Sequence, residues 1–548
     1  MEISAFKSFF LFCTRVRQMF EEVNEMETMK HKLDAYPAFQ SKLYIRGFLL
    51  TNADVDDSTY PFYGAWNRFE IASVTFLIHP QQKAYVHSTD DFSAALVGHA
   101  LNPFTKEVSE DSILCVCLQK LKESENAFWN YFNQLTGVFT FFVFRGDDVW
   151  IIDDASGMQT TFYTTEKGKL YVSSHTMLLG ELLGLEKDPY VERLAKYRFF
   201  PLLGNSLPGD LTQFVGLKRV TPNFCCVYHD GTFTNKRFFA PYQIKDKSRQ
   251  QLVDEAGQIL HNSLELIAKK WKRPAISLTG GCDSKTTLAC ANGLYDKFRY
   301  YSYSSSEAEQ VDCEAAATIC KALGVEHTVY PIPEVSMPGD HEEIVAQILR
   351  WNCGDLRDSN ANDVRKRIAL DKIDDYDVEI KSWASEIGRA YYSKRFHGRT
   401  KFPKKPSGRA CTTLYKFFLH DRRLVHETDK VFEKFIRDYY EPAKENPVEW
   451  FEQFFWEFRV PAWNGLVITG EHWYSDEITI PYNNRLLLTM LLSVPIEDRV
   501  SDKLYKEIRA AKNPLIDQTG VAVTNLLHTE RREKLENLYW SLHSKFPF

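Results

Sequence analysis

No two cysteines of this chain stand in a Cys-x-x-Cys spacing, no apolar run reaches membrane-spanning length, and neither sign of charge dominates. The first absence removes zinc knuckles and disulfide frameworks, and the 11 cysteines form an odd, scattered set that reads most simply as reduced thiols in a cytosol. The N-terminal apolar burst, Phe9 to Cys13 between Lys7 and Arg15, is shorter than a signal-peptide core and far shorter than a transmembrane helix. Lys plus Arg number 67 against 73 Asp plus Glu, a net charge of −6, which argues against a general nucleic-acid binder. There is no internal repeat and no low-complexity tract. These absences predict a soluble cytoplasmic protein with neither nucleic acid nor membrane as partner.

What is present is globular. Hydrophobic residues make up 44% of the chain, and 39 Phe with 27 Tyr can fill several cores. At 548 residues the length prior is about three to four domains. Residues 1–42 read as an amphipathic helical extension, with Phe9, Phe10, Cys13, Val16 and Phe20 at helical spacing. From 43 to 243 the pattern is that of strands. Phe139–Phe144 and Val149–Ile152 flank Arg145-Gly-Asp-Asp148 as a hairpin, and Leu170–Ser173 follows another turn. The period changes near 250. Helix 251–270, strand Ala275–Leu278, helix Lys285–Asn292, strand Arg299–Ser304 and helix Cys313–Leu323 alternate, which predicts a parallel sheet within a second unit, 244–548. The remainder reads as mostly helical.

The stretch Thr279-Gly-Gly-Cys-Asp-Ser284 sits between the first of these strands and its helix. Two glycines after a strand allow a tight turn with N–H groups on an anion, and the helix that follows directs its positive end to the same place. Thr279 and Ser284 add hydroxyls. Asp283 repels phosphate unless a cation stands between them, so Mg²⁺ is implied. Lys285 follows the glycines at the wrong distance for a Walker A loop. The plain alternative is a capped Gly-Gly turn, which the full order of strand, loop and helix disfavours.

Ser/Thr-Gly-Gly-x-Asp-Ser after a strand resembles the pyrophosphate loop of ATP pyrophosphatases, and the surroundings are similar to the asparagine synthetase-like family, which includes β-lactam synthetases and lasso-peptide cyclases. Leu135–Phe139, Asp154-Ala-Ser-Gly157 with Tyr163, and Val220-Thr-Pro222 resemble the family's amidotransferase half and its junction. Ser306, Glu307, Asp312, Leu323-Gly324, His327, Ile480–Arg485 and Lys506-Glu-Ile-Arg509 resemble its synthetase half. The resemblance implies an Ntn-hydrolase-like sandwich followed by a parallel-sheet synthetase domain that binds ATP and Mg²⁺. The activity it implies is adenylation of a small-molecule or peptide carboxylate, for attack by ammonia or an amine. It assigns Thr279, Gly280, Gly281, Asp283 and Ser284 to the nucleotide, Asp283 and Glu386 to the metal, and Lys506 with Glu386 to catalysis.

Two departures stand out. The family's glutaminase begins on a cysteine after the initiator Met, whereas this sequence reads Met1-Glu2, so the implied amidotransferase half is inactive as a glutaminase. In Lys381–Tyr391 the position of a metal-binding aspartate holds Ser385, with Glu386 beside it. Glu386 then either replaces that ligand or pairs with Arg389 on a helix. The basic stretch Lys394–Arg409, broken by Gly398, Pro403, Pro406 and Gly408, reads as a solvated loop or as a lid over the nucleotide. An alternative to the ligase is a catalytically impaired scaffold that binds nucleotide or a partner.

Overall fold

The computed structural model describes residues 29–198, 200, 206–333, 339–356, 361–395, 402–415, 421–475 and 477–521. The amphipathic helix expected at 1–42 lies largely outside them, as do Cys13 and part of the basic segment, 396–401.

The fold is mixed α/β, with two antiparallel sheets and one parallel sheet. The first six-stranded sheet contains β1 (Phe48–Thr51), β2 (Asn67–Ile71), β3 (Val74–Ile78), β8 (Phe162–Glu166), β9 (Lys169–Ser173) and β10 (Lys218–Arg219). The second contains β4 (Ala84–Ser88), β5 (Ser93–Leu101), β6 (Thr136–Arg145), β7 (Asp148–Asp153), β11 (Phe224–His229) and β12 (Thr232–Arg237). Their orders are β10-β8-β9-β1-β3-β2 and β12-β11-β7-β6-β5-β4. The expected hairpin is β6–β7, with Arg145 opposite Asp148.

Alternation along the strands builds the layers. Phe48, Leu50, Phe142, Phe144 and Ile151 meet between the two sheets. The intervening residues Phe141, Val143, Trp150 and Ile152 turn outward. There they meet helices α1 (Glu110–Glu123) and α2 (Glu125–Phe132). On the opposite side Leu49 and Leu77 pack with Met177 and Leu178 of helix α3 (Thr176–Leu183). Apolar residues therefore fill both faces of both sheets, giving an α-β-β-α stack.

Helix α4 (Arg249–Lys270) opens the second half with a capping box between Ser248 and Gln251. The parallel sheet follows with β13 (Pro274–Ser277), β14 (Arg299–Ser304), β15 (Thr328–Pro331), β16 (Val378–Ile380) and β17 (Ile478–Thr479), in the order β15-β14-β13-β16-β17. All four pairings are parallel. Helix α5 (Cys282–Cys290) connects β13 toward β14, and α6 (Glu307–Leu323) connects β14 to β15. The chain thus winds one way from β13 and later returns on its other side with β16. That reversal leaves a crevice at the carboxyl ends of β13 and β16.

Buried polar contacts hold the halves together. Glu477 accepts from the Lys83 ammonium at 2.9 Å and the Trp271 indole at 2.8 Å, and its carboxylate lies 3.0 Å from His99. Arg485 donates to the carbonyls of Asp153 and Asp154, both at 3.0 Å, and Asn484 to that of Gln134 at 2.7 Å. Asn484 and Arg485 therefore spend their polar side chains on the sandwich, whereas the Tyr482 hydroxyl donates to the Asp283 carbonyl at 3.5 Å. Among the described residues, no helix is long and apolar enough to cross a membrane.

Candidate functional site

Thr279–Ser284 lies at the crevice, between the end of β13 and the first turn of α5. Gly281, the residue before that helix, has φ −67° and ψ 160°, a conformation open to any residue, so the tight-turn expectation fails there. What glycine gives at 281 is space: an added Cβ would stand 3.1 Å from the Thr279 hydroxyl. The Thr279 and Ser284 hydroxyls lie 3.1 Å apart and hydrogen-bond to each other. The Gly280 N–H donates to Asp312 at 3.1 Å and the Gly281 N–H to Thr279 at 3.2 Å. The loop's donors are thus arranged around its own side chains, with Thr279 exposed.

Asp283 is on the first turn of α5. One of its carboxylate oxygens accepts from Arg389, while Oδ1 is buried with no hydrogen-bond partner. Arg389 also makes a two-pronged bond to Asp502, at 2.8 and 3.0 Å, and Lys394 pairs with the same carboxylate. Burial works against charge on Arg389, yet Asp283 and Asp502 keep it protonated. Burial also tends to raise Asp502, but its bonds to Arg389 and Lys394 hold it below the usual range. Asp502 precedes helix α7 (Lys503–Lys512).

Glu386 comes from the loop beyond β16, across the crevice from Asp283. Its Oε2 is buried without a hydrogen-bond partner. Burial, then the charge of Asp283, pushes its carboxyl up to about 7. Of the two readings of Glu386, its pairing with Arg389 on a helix is not the arrangement found, because 385–389 is a short 3₁₀ turn and Arg389 is drawn to Asp283 and Asp502 instead. Ala384 and Ala390, at the two ends of this turn, both have left-handed backbones, with φ 66° and 50°. Tyr505 pins the turn by donating to the Ser385 carbonyl at 2.6 Å. At Gly388 a Cβ would come within 2.6 Å of Leu491 and 2.7 Å of the Tyr505 hydroxyl, so only glycine fits.

Two donor-less carboxylate oxygens brought to one crevice suit a cation such as Mg²⁺, which takes one or two carboxylates and completes its shell with phosphate and water. Among the described residues no cluster of three or more His, Cys, Asp or Glu forms a self-contained metal cage. Ser385, at the position of the expected aspartate, donates to the Ser382 carbonyl instead.

Lys506 is exposed on α7, and its ammonium donates to the carbonyl of Ser501 at 2.9 Å. Its helix neighbour Arg509 contacts the loop helix, donating to Thr286 at 3.1 Å and to the Cys282 sulfur at 3.3 Å. Sequence reasoning named Arg389 only as an alternative partner of Glu386 and Arg509 only within Lys506-Glu-Ile-Arg509, and it passed over Asp502. Asp283 and Arg389 are 106 positions apart, and no local spacing announces such a pair. The lid expectation also changes. Phe402 stacks on Phe451 with ring centres 4.0 Å apart, Pro403 accepts from the Trp450 indole at 2.8 Å, and the segment's end belongs to helix Gly408–Tyr415. Phe402 and Pro403 therefore lie on the Trp450–Phe451 helix, while Lys394 at the segment's start pairs with Asp502.

No family model and no curated relative matches the chain. Partial likeness exists to solved structures. One is the allosteric regulatory enzyme of purine biosynthesis (10% identity, 53% of this chain, 60% of that one, TM-score 0.24). Another is glutamine phosphoribosylpyrophosphate amidotransferase from B. subtilis complexed with ADP and GMP (10% identity, 65% and 72% covered, TM-score 0.22). A third is glutamine-dependent NAD⁺ synthetase from Acinetobacter baumannii with ADP (13% identity, 51% and 66% covered, TM-score 0.19). The chain spans about three fifths of the first of these. At such scores these likenesses assign no role to any residue.

Proposed function

We propose that this chain is an ATP-dependent amide-forming ligase of the asparagine synthetase-like kind, with residues 244–548 as its synthetase half. In this reading residues 43–243 are an amidotransferase-like, Ntn-type sandwich without glutaminase activity. The segment leading into β1, Leu43–Gly47, is buried chain continuous with the residues before it, so no free α-amine stands at that strand to serve as a base. One observation carries the proposal: Asp283 Oδ1 and Glu386 Oε2, both buried without donors, flank the crevice where the sheet order reverses, at the positive end of α5.

Thr279, Gly280, Gly281 and Ser284 would hold the pyrophosphate portion of ATP, and Asp283 with Glu386 would hold Mg²⁺, which supplies charge neutralisation to the leaving pyrophosphate. The Gly280 N–H turns from Asp312 to a phosphate oxygen. Arg389 releases Asp283 while its bonds to Asp502 keep the guanidinium at the crevice. Lys506 leaves the Ser501 carbonyl and offsets charge on the acyl oxygen. A substrate carboxylate oxygen attacks the α-phosphorus, and the bond to pyrophosphate breaks. An amine nitrogen then attacks the acyl carbon, AMP departs with the C–O electron pair, and the amine gives up a proton. Incubation with ATP, Mg²⁺ and a panel of carboxylates plus amines should yield AMP and pyrophosphate; ADP as the product would overturn this reading.

The Arg389–Asp283 pair also favours a second reading, a scaffold in which that bond is permanent and the loop is closed to nucleotide. Calorimetry with ATP and Mg²⁺ separates the two, since a permanent latch gives no heat of binding.

A further inference from the structure

A cavity of about 980 Å³ is bounded by the Phe402–Lys405 chain, the Trp450–Phe451 helix and Ile496–Val500. Its wall is apolar and aromatic, including Phe402, Pro447, Val448, Trp450, Phe451 and Ile496. Two chain connections place it against the charged site. Ser393 lines the cavity, and the next residue, Lys394, pairs with Asp502. Val500 lines it too, and Ser501, the following residue, holds the Lys506 ammonium through its carbonyl. One end of the cavity therefore abuts the network that reaches Asp283 through Arg389.

Its charge is one-sided. Lys404 and Lys405 line it, are exposed, and have no ion-pair partner among the described residues. Of its two acids, Glu449 is committed to Arg499 at 2.7 Å, leaving the exposed Glu497 as the opposing charge. A space of this size with an apolar wall and few polar groups suits a small organic molecule. The two unpaired lysines on its wall outnumber Glu497 and select an anion over a cation.

We propose that this cavity receives the apolar body of the acid to be activated, an arylalkyl or acyl carboxylic acid whose carboxylate points to the Ser501–Lys506 end. The inference rests on the ligase reading for the fate of that carboxylate, but not for its binding. The test uses the full chain without nucleotide, titrated calorimetrically with 4-phenylbutyrate and with 4-phenylbutylamine. The acid should bind and the amine should bind about tenfold more weakly or not at all. The double variant Lys404→Glu/Lys405→Glu, on exposed residues that leave the fold intact, should weaken the acid about three- to tenfold. Ile496→Trp, which fills the cavity from a half-buried position, should abolish binding. Equal binding of acid and amine, no binding of either, or wild-type affinity in both variants overturns the proposal. If the binding pattern holds but no acid gives pyrophosphate, the ligase reading falls and the cavity assignment stands. If a small polar acid such as aspartate drives pyrophosphate release while 4-phenylbutyrate does not bind, the reverse is true.

Discussion

Asp154, just after β7 in the sandwich, accepts main-chain N–H bonds from Phe139, Ser156, Met158 and Gln159. Asp283, just after β13 in the other half, binds one guanidinium and leaves Oδ1 without a donor. Both are carboxylates in the chain that follows a strand, Asp154 in a loop and Asp283 on the first turn of α5, yet one is saturated by the fold and the other is left half used. Saturation turns a buried acid into a structural rivet, because every lone pair that burial would have penalised is satisfied. A buried oxygen without a donor costs stability unless something else comes to it, and at Asp283 the crevice offers a cation that place.

The comparison breaks most visibly at its saturated member. Asp154→Ala strands four main-chain N–H groups in a buried loop and should cost about 3–5 kcal/mol, read as a lower denaturation midpoint with an unchanged slope. Asp283→Ala should do the opposite: little change in melting temperature, because Arg389 keeps its two bonds to Asp502, but loss of pyrophosphate release by ~100-fold or more. If the two variants behave alike, the contrast drawn here is false.

Glu452 carries the contrast to its limit, since neither of its oxygens receives a hydrogen bond and Arg499 stands 3.5 Å away. Burial pushes its carboxyl up to about 7, with Arg499 opposing. The unfolded chain releases this proton near 4.5, so the folded state binds it more tightly. The resulting stabilisation is complete below about pH 4.5 and is lost as pH rises through about 7, on the order of 3 kcal/mol in all. Thermal unfolding between about pH 5 and 8 should show that fall, and Glu452→Gln should flatten it; an equally steep profile in the variant would refute the assignment. The smallest effect belongs to Glu386→Gln, which should raise the Mg²⁺ concentration for half-maximal pyrophosphate release about tenfold while nucleotide binding without metal is kept. A Mg²⁺ dependence unchanged from wild type removes Glu386 from the metal site.

The sequence made the periodic parts legible. The β6–β7 hairpin, helix α4, the strand before the glycines and the parallel pairing all follow from alternation, helical spacing and the change of period near 250. Helix α5 begins at Cys282 rather than Lys285, so Asp283 and Ser284 lie inside its first turn. The site was legible only where it is contiguous. Thr279–Ser284 announces itself as a string, but Arg389 and Asp502 meet Asp283 through folding alone. Lys506 and Arg509 share a helix, and only packing shows that Arg509 is the one touching the loop. In the basic segment the prolines and glycines announce the irregular chain of 402–407, with Lys404 and Lys405 exposed, but not which aromatic surface that chain lies on.

Ala384 and Ala390 have a consequence for anyone who would engineer this protein. Each holds a left-handed twist that an alanine resists by about 1 kcal/mol, so the short span carrying Glu386 and Arg389 is wound like a spring between two reluctant anchors. Glycine at either end would ease the tension and make a hardier molecule, at the cost of the aim of the two side chains the spring was wound to point.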